Sequence, residues 1–205
     1  SQAFLRCEQR HLQSRRYFLF SPSERRGFVI SRPAPLSSDE KNLVLVTALF
    51  GFGVLIVLHN AQFITTDASR FHPAFQEKYM ANLPVVLSHG VSAMVALVVG
   101  PFQLWREARA KWRRAHRRLG MVYLLAVLAA APTGMIMGLM AFGGVAAQGF
   151  FAVLSTLWFL TAVLALQAIW SRDFFAHRHW MILNYAMTFG AVVLRIELSL
   201  LELVG

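Results

Sequence analysis

Hydrophobic and polar positions fall along this chain in long blocks. Five apolar blocks, at about Asn42–Ile64, Leu83–Trp105, Leu119–Phe142, Gly149–Trp170 and Trp180–Val204, are separated by short polar segments and preceded by an arginine-studded stretch. The second block, LPVVLSHGVSAMVALVVGPFQLW, has no charge and one histidine, His89. At 1.5 Å of rise, its 23 residues make roughly 35 Å of helix, enough to cross a hydrocarbon core of about 30 Å. It runs into a dense basic loop, Arg106–Arg118, and the third block begins at Leu119. That pattern is a transmembrane hairpin with a basic turn. The expected fold is all-α: an integral membrane bundle of about five transmembrane helices over 42–205, with an extended basic tail over 1–41.

The segments between blocks carry their own signals. In TTDASRFHPAFQEKYMAN, residues Phe71, Phe75, Tyr79 and Met80 recur at helical spacing, which predicts a short helix lying in the interface. Ser38 or Ser37, followed by Asp39 and Glu40, reads as the N-terminus of the first span. In the third block Gly134 and Gly138 stand in GxxxG spacing, which lets another backbone approach closely. Pro132 and the Gly100-Pro101 pair release backbone hydrogen bonds and predict kinks.

Charge then orients the bundle. If the tail lies on side A and the spans alternate, seventeen of the twenty Lys and Arg residues fall on side A. Arg70 and Lys78 fall on side B, and Arg195 lies inside the last span. Positive charge marks the cytoplasmic, matrix or stromal side, so side A is that side and the C-terminus faces the other. The net charge of +10 would suggest nucleic acid in a soluble chain. Here, with 57% hydrophobic residues and a mean hydropathy of +0.51, the cations flank apolar spans. Membrane orientation and anionic phospholipids explain them, and no nucleic-acid partner is expected.

The first 38 residues hold seven arginines and seven serines against two acids, Glu8 and Glu24. That composition matches an organelle transit sequence or the segment behind one, and an opening Ser1 fits either processing or truncation. Short apolar patches such as Phe4-Leu5, Tyr17–Phe20 and Phe28–Ile30 alternate with the arginines. Such a segment builds no core of its own, and it suits contacts laid along other chains.

Little in the sequence points to catalysis. The lone Cys7 excludes an internal disulfide framework, no metal site is expected, and no HExxH, GxSxG or phosphate-binding glycine loop is present. His59, His89 and Arg195 fall in roughly one layer, within about 10 Å of the side-B boundary. Two histidines at one depth are able to hold a b-type haem from adjacent helices. The plainer reading seats His89 on a neighbouring backbone carbonyl or on Ser92. At side A, Arg113, Arg114, His116, Arg117, Arg118, His177 and Arg178 read as contacts to lipid headgroups or partner subunits, and Arg195 joins that set as an ionisable group needing a partner.

The string SHG…ALVVGPFQL, then HRRLGMVY, GF with a following tryptophan, HRHWM and AVVLR resembles the domain of unknown function 2306 family of predicted membrane proteins. The match in order and spacing covers about Leu83 to Arg195. His89, His116, Arg117, Gly120, Tyr123, Gly149, Phe150, His177, Trp180, Met181 and Arg195 fit the pattern. Leu183 stands where such proteins usually place an arginine. The resemblance implies a helical membrane fold and brings no established activity.

The resulting expectation is a non-catalytic accessory subunit of a larger membrane complex, with no cofactor. The assigned place is a mitochondrial respiratory-chain complex of the inner membrane, with another organellar or bacterial inner membrane as the alternative. Helix packing, lipid contacts and a subunit-binding tail would be its contributions. The alternative is a b-type haem protein using His59 and His89.

Overall fold

The computed structural model describes residues 37–71, 73–141 and 144–204, and their side chains up to 193 apart from residue 74. The expectations for the tail therefore lie outside the described residues, except at its last few positions. Every regular element described is helical: α1 Ser38–Asn60, α2 Pro73–Ala81, α3 Leu83–Leu104, α4 Arg106–Lys111, α5 Arg113–Leu139, α6 Gly144–Trp170 and α7 Phe174–Val204.

The start of α1 follows from its sequence. Ser37 Oγ accepts the Glu40 N–H at 3.2 Å, and the Glu40 carboxylate accepts the Ser37 N–H at 2.8 Å. This reciprocal box satisfies two donors that a helix N-terminus otherwise leaves open. The short helix expected after the first span is α2, where Tyr79 meets Phe71 edge-on and Phe75 at a tilt, with ring centroids 5.5 and 5.1 Å away.

Four helices are long and apolar enough to cross a membrane: α1 with its following 3₁₀ turn, α3, α5 and α6. The fifth long helix, α7, has 31 residues and packs along α6 and α3, two of those spans. The bundle closes as α3 on α5, α5 on α6, α6 on α7 and α7 back on α3, while α1 lies outside against α3. The core is rich in small residues: Ala96, Ala130, Ala131, Ala162 and Ala165 are buried around Tyr123, Val127, Trp158 and Tyr185. Lipid tails are as apolar as leucine, so helices in a bilayer associate through such close backbone packing rather than by escaping water.

The basic run differs from the loop expected for Arg106–Arg118. It is helical almost throughout, as α4 and the opening turns of α5, with one break at Trp112 (φ −119°, ψ 56°). Arg, Ala, Glu and Lys are good helix formers, and no proline interrupts them. Asn42 of α1 anchors the other end of α4. Its side chain donates to the Leu104 carbonyl at 3.3 Å and accepts the Arg106 N–H at 3.1 Å, bridging the α3–α4 junction.

Candidate functional site

Polar groups inside the bundle are occupied with one another. Asn184 and Tyr123 are wholly buried, and the Tyr123 hydroxyl donates to Asn184 Oδ1 at 2.6 Å. The Asn184 amide nitrogen donates to the Trp158 carbonyl and to Thr161 Oγ1, each at 2.8 Å. Trp158 Nε1 donates to Thr188 Oγ1 at 3.0 Å, and Thr188 Oγ1 lies 3.1 Å from the Tyr123 hydroxyl. This net ties α5, α6 and α7 together. It offers a substrate no unpaired group.

The sequence-derived sites separate into those that meet neighbours inside the bundle and those that do not. His89 Nδ1 donates to the Ala130 carbonyl of α5 at 2.9 Å, since a carbonyl only accepts. The His59 ring is exposed on α1. The two rings thus face different surroundings, and this arrangement gives the two-histidine haem reading no geometric support. Gly134 and Gly138 lie where α5 meets its neighbours. A Cβ on Gly134 would stand 2.8 Å from His89 Cε1, and one on Gly138 would stand 2.6 Å from Phe151 Cβ. Arg195 lies in α7 but beyond the described side chains.

On side A the arrangement reverses. Arg113, Arg114, Arg117, Arg118 and Arg178 are exposed, and His116 and His177 are half-buried among them. His177 Nδ1 donates to the Ala165 carbonyl at 2.8 Å, which holds the start of α7 on the end of α6. Arg109, on α4, sits partly buried near Arg178 and Arg106. Burial first, and then those two charges, push its guanidinium below its ordinary pKa. None of these arginines has an ion pair among the described residues, where the pair seen is Arg70 with Asp67 on side B.

Three buried polar atoms there lack a hydrogen-bond partner among the described residues: Gln103 Nε2, Trp105 Nε1 and His116 Nδ1. All belong to the corner where α3, α4 and α5 meet. Gln103 is only 8% exposed. Its Oε1 lies 3.0 Å from where a Cβ on Gly120 would stand, so the glycine of the HRRLG string makes room for it. Trp105 meets Trp112 edge-on at 5.8 Å. A hollow of about 110 Å³ opens between Phe102, Ala108, Trp112, Ala115, His116 and Leu119. Beside it a more open hollow is lined by Lys111, Trp112, Arg113, Arg114 and Ala115.

Gln103, Trp105, Arg109 and Trp112 were not singled out from the sequence. The available signal was a glutamine near the end of an apolar block and two tryptophans bracketing a basic run. The interior net was missed as well, although Asn184 and Thr188, four apart in an apolar block, share a helix face.

An all-helical bundle with apolar spans and one cationic end defines a multi-pass membrane protein. The chain belongs to the family described as predicted membrane protein (DUF2306), whose model matches residues 86–205. No curated protein and no solved structure matches it.

Proposed function

We propose that this protein is a non-catalytic accessory subunit of a larger membrane complex, a respiratory-chain complex of the mitochondrial inner membrane. One observation carries the reading: among the described residues, the interior polar net is engaged in helix-to-helix hydrogen bonds, while unpaired polar and cationic groups gather at side A. A catalytic or transport site inside the bundle would need reactive or ionisable groups held open to a substrate. A binding role at side A needs what is found there. The arginine- and serine-rich, acid-poor tail and the bias of basic residues toward side A support a matrix-facing orientation.

Blue native electrophoresis of mild-detergent extracts, with the full chain tagged at its C-terminus, tests this. Comigration with a respiratory complex in the inner-membrane fraction, far above the 23.1 kDa of the chain, is the expected result. Deletion of residues 1–36 should abolish comigration while leaving the chain membrane-inserted. Migration of the intact chain on its own would overturn the reading.

A further inference from the structure

The α3–α4–α5 corner combines features that together define a ligand. The 27-residue helix α5 begins at Arg113 with no side-chain cap and no acidic residue in its first turn. The positive end of its dipole therefore coincides with Arg113, Arg114, Arg117 and Arg118, an unfavourable pairing that a bound anion relieves. Helix α7 shows the contrast, since Asp173 Oδ1 accepts the Ala176 N–H at 2.9 Å and covers its first turn.

Charge on α5 would not by itself make a site. The second observation is the set of unsatisfied atoms beside it. Gln103 Nε2 and Trp105 Nε1 are obligate donors, and a buried donor without an acceptor is unfavourable. Neither residue lines the smaller hollow; Trp105 meets one of its walls, Trp112, edge-on, and His116, whose Nδ1 is the third unsatisfied atom, lines it directly. Arg109, His177 and Arg117 all lie near enough to act on the charge of His116. The corner thus gathers donors and cations, and the amide oxygen it holds, Gln103 Oε1, stands against Gly120.

The two hollows share Trp112 and Ala115 as a wall yet differ in character. One is lined by Lys111, Arg113 and Arg114, the other mainly by Phe102, Ala108 and Leu119. A free phosphate would use only the first. A molecule with an anionic head and an apolar body uses both, at the level where the basic turns give way to the span beginning at Leu119.

We propose that this corner binds an anionic phospholipid. Its phosphate is received at the opening turns of α5 by Arg109, Arg113, Arg114 and His116, and the upper part of an acyl chain lies against Phe102, Ala108 and Leu119. At about 110 Å³ the apolar hollow exceeds the 10–15 Å³ or so that one water needs, and so has room for part of a chain. This deepens the reading of side A as a lipid- and partner-contacting face and rests on it.

The test uses the purified full chain, delipidated and then equilibrated with mixed micelles of phosphatidylcholine alone or with phosphatidylglycerol or cardiolipin. Bound lipid is counted by native mass spectrometry. The wild-type chain should retain the anionic lipids over phosphatidylcholine, and Arg109→Gln with Arg114→Gln should cut that retention roughly tenfold. The side-B control Arg70→Gln should leave it unchanged. His116→Gln, a milder change, should weaken retention in the same direction and guards against misfolding of the double variant. Thermal unfolding of each variant without lipid reports whether it is folded.

Equal retention of phosphatidylcholine and anionic lipid, or equal loss in Arg70→Gln, would overturn the proposal. Displacement of the lipid by inorganic phosphate at matching concentration would overturn it too, by assigning the corner to a soluble anion. The measurement is made on the isolated chain. Failure here thus leaves the electrophoretic result standing, and a chain that migrates alone is still able to hold its lipid.

Discussion

The Tyr185 hydroxyl of α7 donates to the Leu97 carbonyl of α3 at 3.3 Å. That carbonyl is the one Pro101 leaves without its helical partner, because proline has no N–H to return four residues back. Helix α3 runs unbroken through Pro101. Beside the bond, Gly100 makes room for the ring: a Cβ there would stand 2.1 Å from Tyr185 Cε2 and 3.1 Å from Tyr123 Cε2. The Gly100-Pro101 pair, read from the sequence as a kink, serves as a socket for a tyrosine on another helix.

The socket separates two substitutions. Tyr185→Phe keeps the ring and loses one hydrogen bond, and such bonds between membrane helices average about 0.6 kcal/mol, with a maximum near 1.7. Gly100→Ala forces a methyl group into a buried ring, and overpacking costs about 1–3 kcal/mol. Unfolding in bicelles should therefore rank Gly100→Ala as the more damaging change. The reverse order would show that the hydroxyl, not the fit of the ring, holds α3 to α7.

The interior net makes a second prediction. Asn184→Ala leaves Tyr123 and Thr161 each short of a partner and should destabilise the bundle by about 1–3 kcal/mol. Tyr123→Phe still leaves Asn184 paired with Trp158 and Thr161, so it should cost less. Because the two residues share a bond, the double variant should fall short of the summed single effects. Additive losses in a thermodynamic cycle would mean that the 2.6 Å contact contributes no coupling.

How far all this was legible in the chain depends on the distance over which the cause acts. The spans were legible because a helix that faces lipid must be apolar nearly all round, and Leu83–Trp105 states that locally. The cap was legible too, since Ser37 and Glu40 are three residues apart. The helical nature of the basic run is less legible, because clustered arginines between two apolar blocks look like a loop even where propensity favours helix. The corner could not be read at all. Nothing near Gln103 in the chain says that Gly120 will stand against it, and an orphan donor exists only once the helices have met. The family pattern did include Tyr123 and Gly120, but without the contacts that explain them.

The third prediction concerns Gly138, whose absent Cβ leaves room for Phe151 Cβ at 2.6 Å. Gly138→Leu should push α5 from α6 at that level while leaving both apolar enough to insert. Carbonate extraction should find the variant in the membrane pellet as usual, and blue native electrophoresis should show its assembly lost. Loss from the pellet would place the defect at insertion instead.

The fourth tests orientation. In a Cys7→Ser background, single cysteines at Ala110 and Ser69, both exposed, report the two sides of the membrane. A membrane-impermeant maleimide applied to vesicles sealed with side B outward should label Ser69→Cys, and should reach Ala110→Cys only after the membrane is opened. Labelling of Ala110→Cys in the sealed vesicles would reverse the topology.

The bridge made by Asn42 acquires a further meaning from where the family match begins. Residues 86–205 cover α4 to α7 and nearly all of α3, so α1 and α2 precede the matched segment. Asn42 covers the last carbonyl of α3 and the first amide of α4, both within that segment, from a helix outside it. The first helix thus clasps the matched segment at the break between α3 and α4, by a side chain that both gives and takes a hydrogen bond, while Phe50 on Phe102 and Phe52 on Phe189 hold it further along. A chain without α1 would leave that carbonyl and that amide to water or to a lipid headgroup, so the first helix also acts as a lid on the turn between span and basic run.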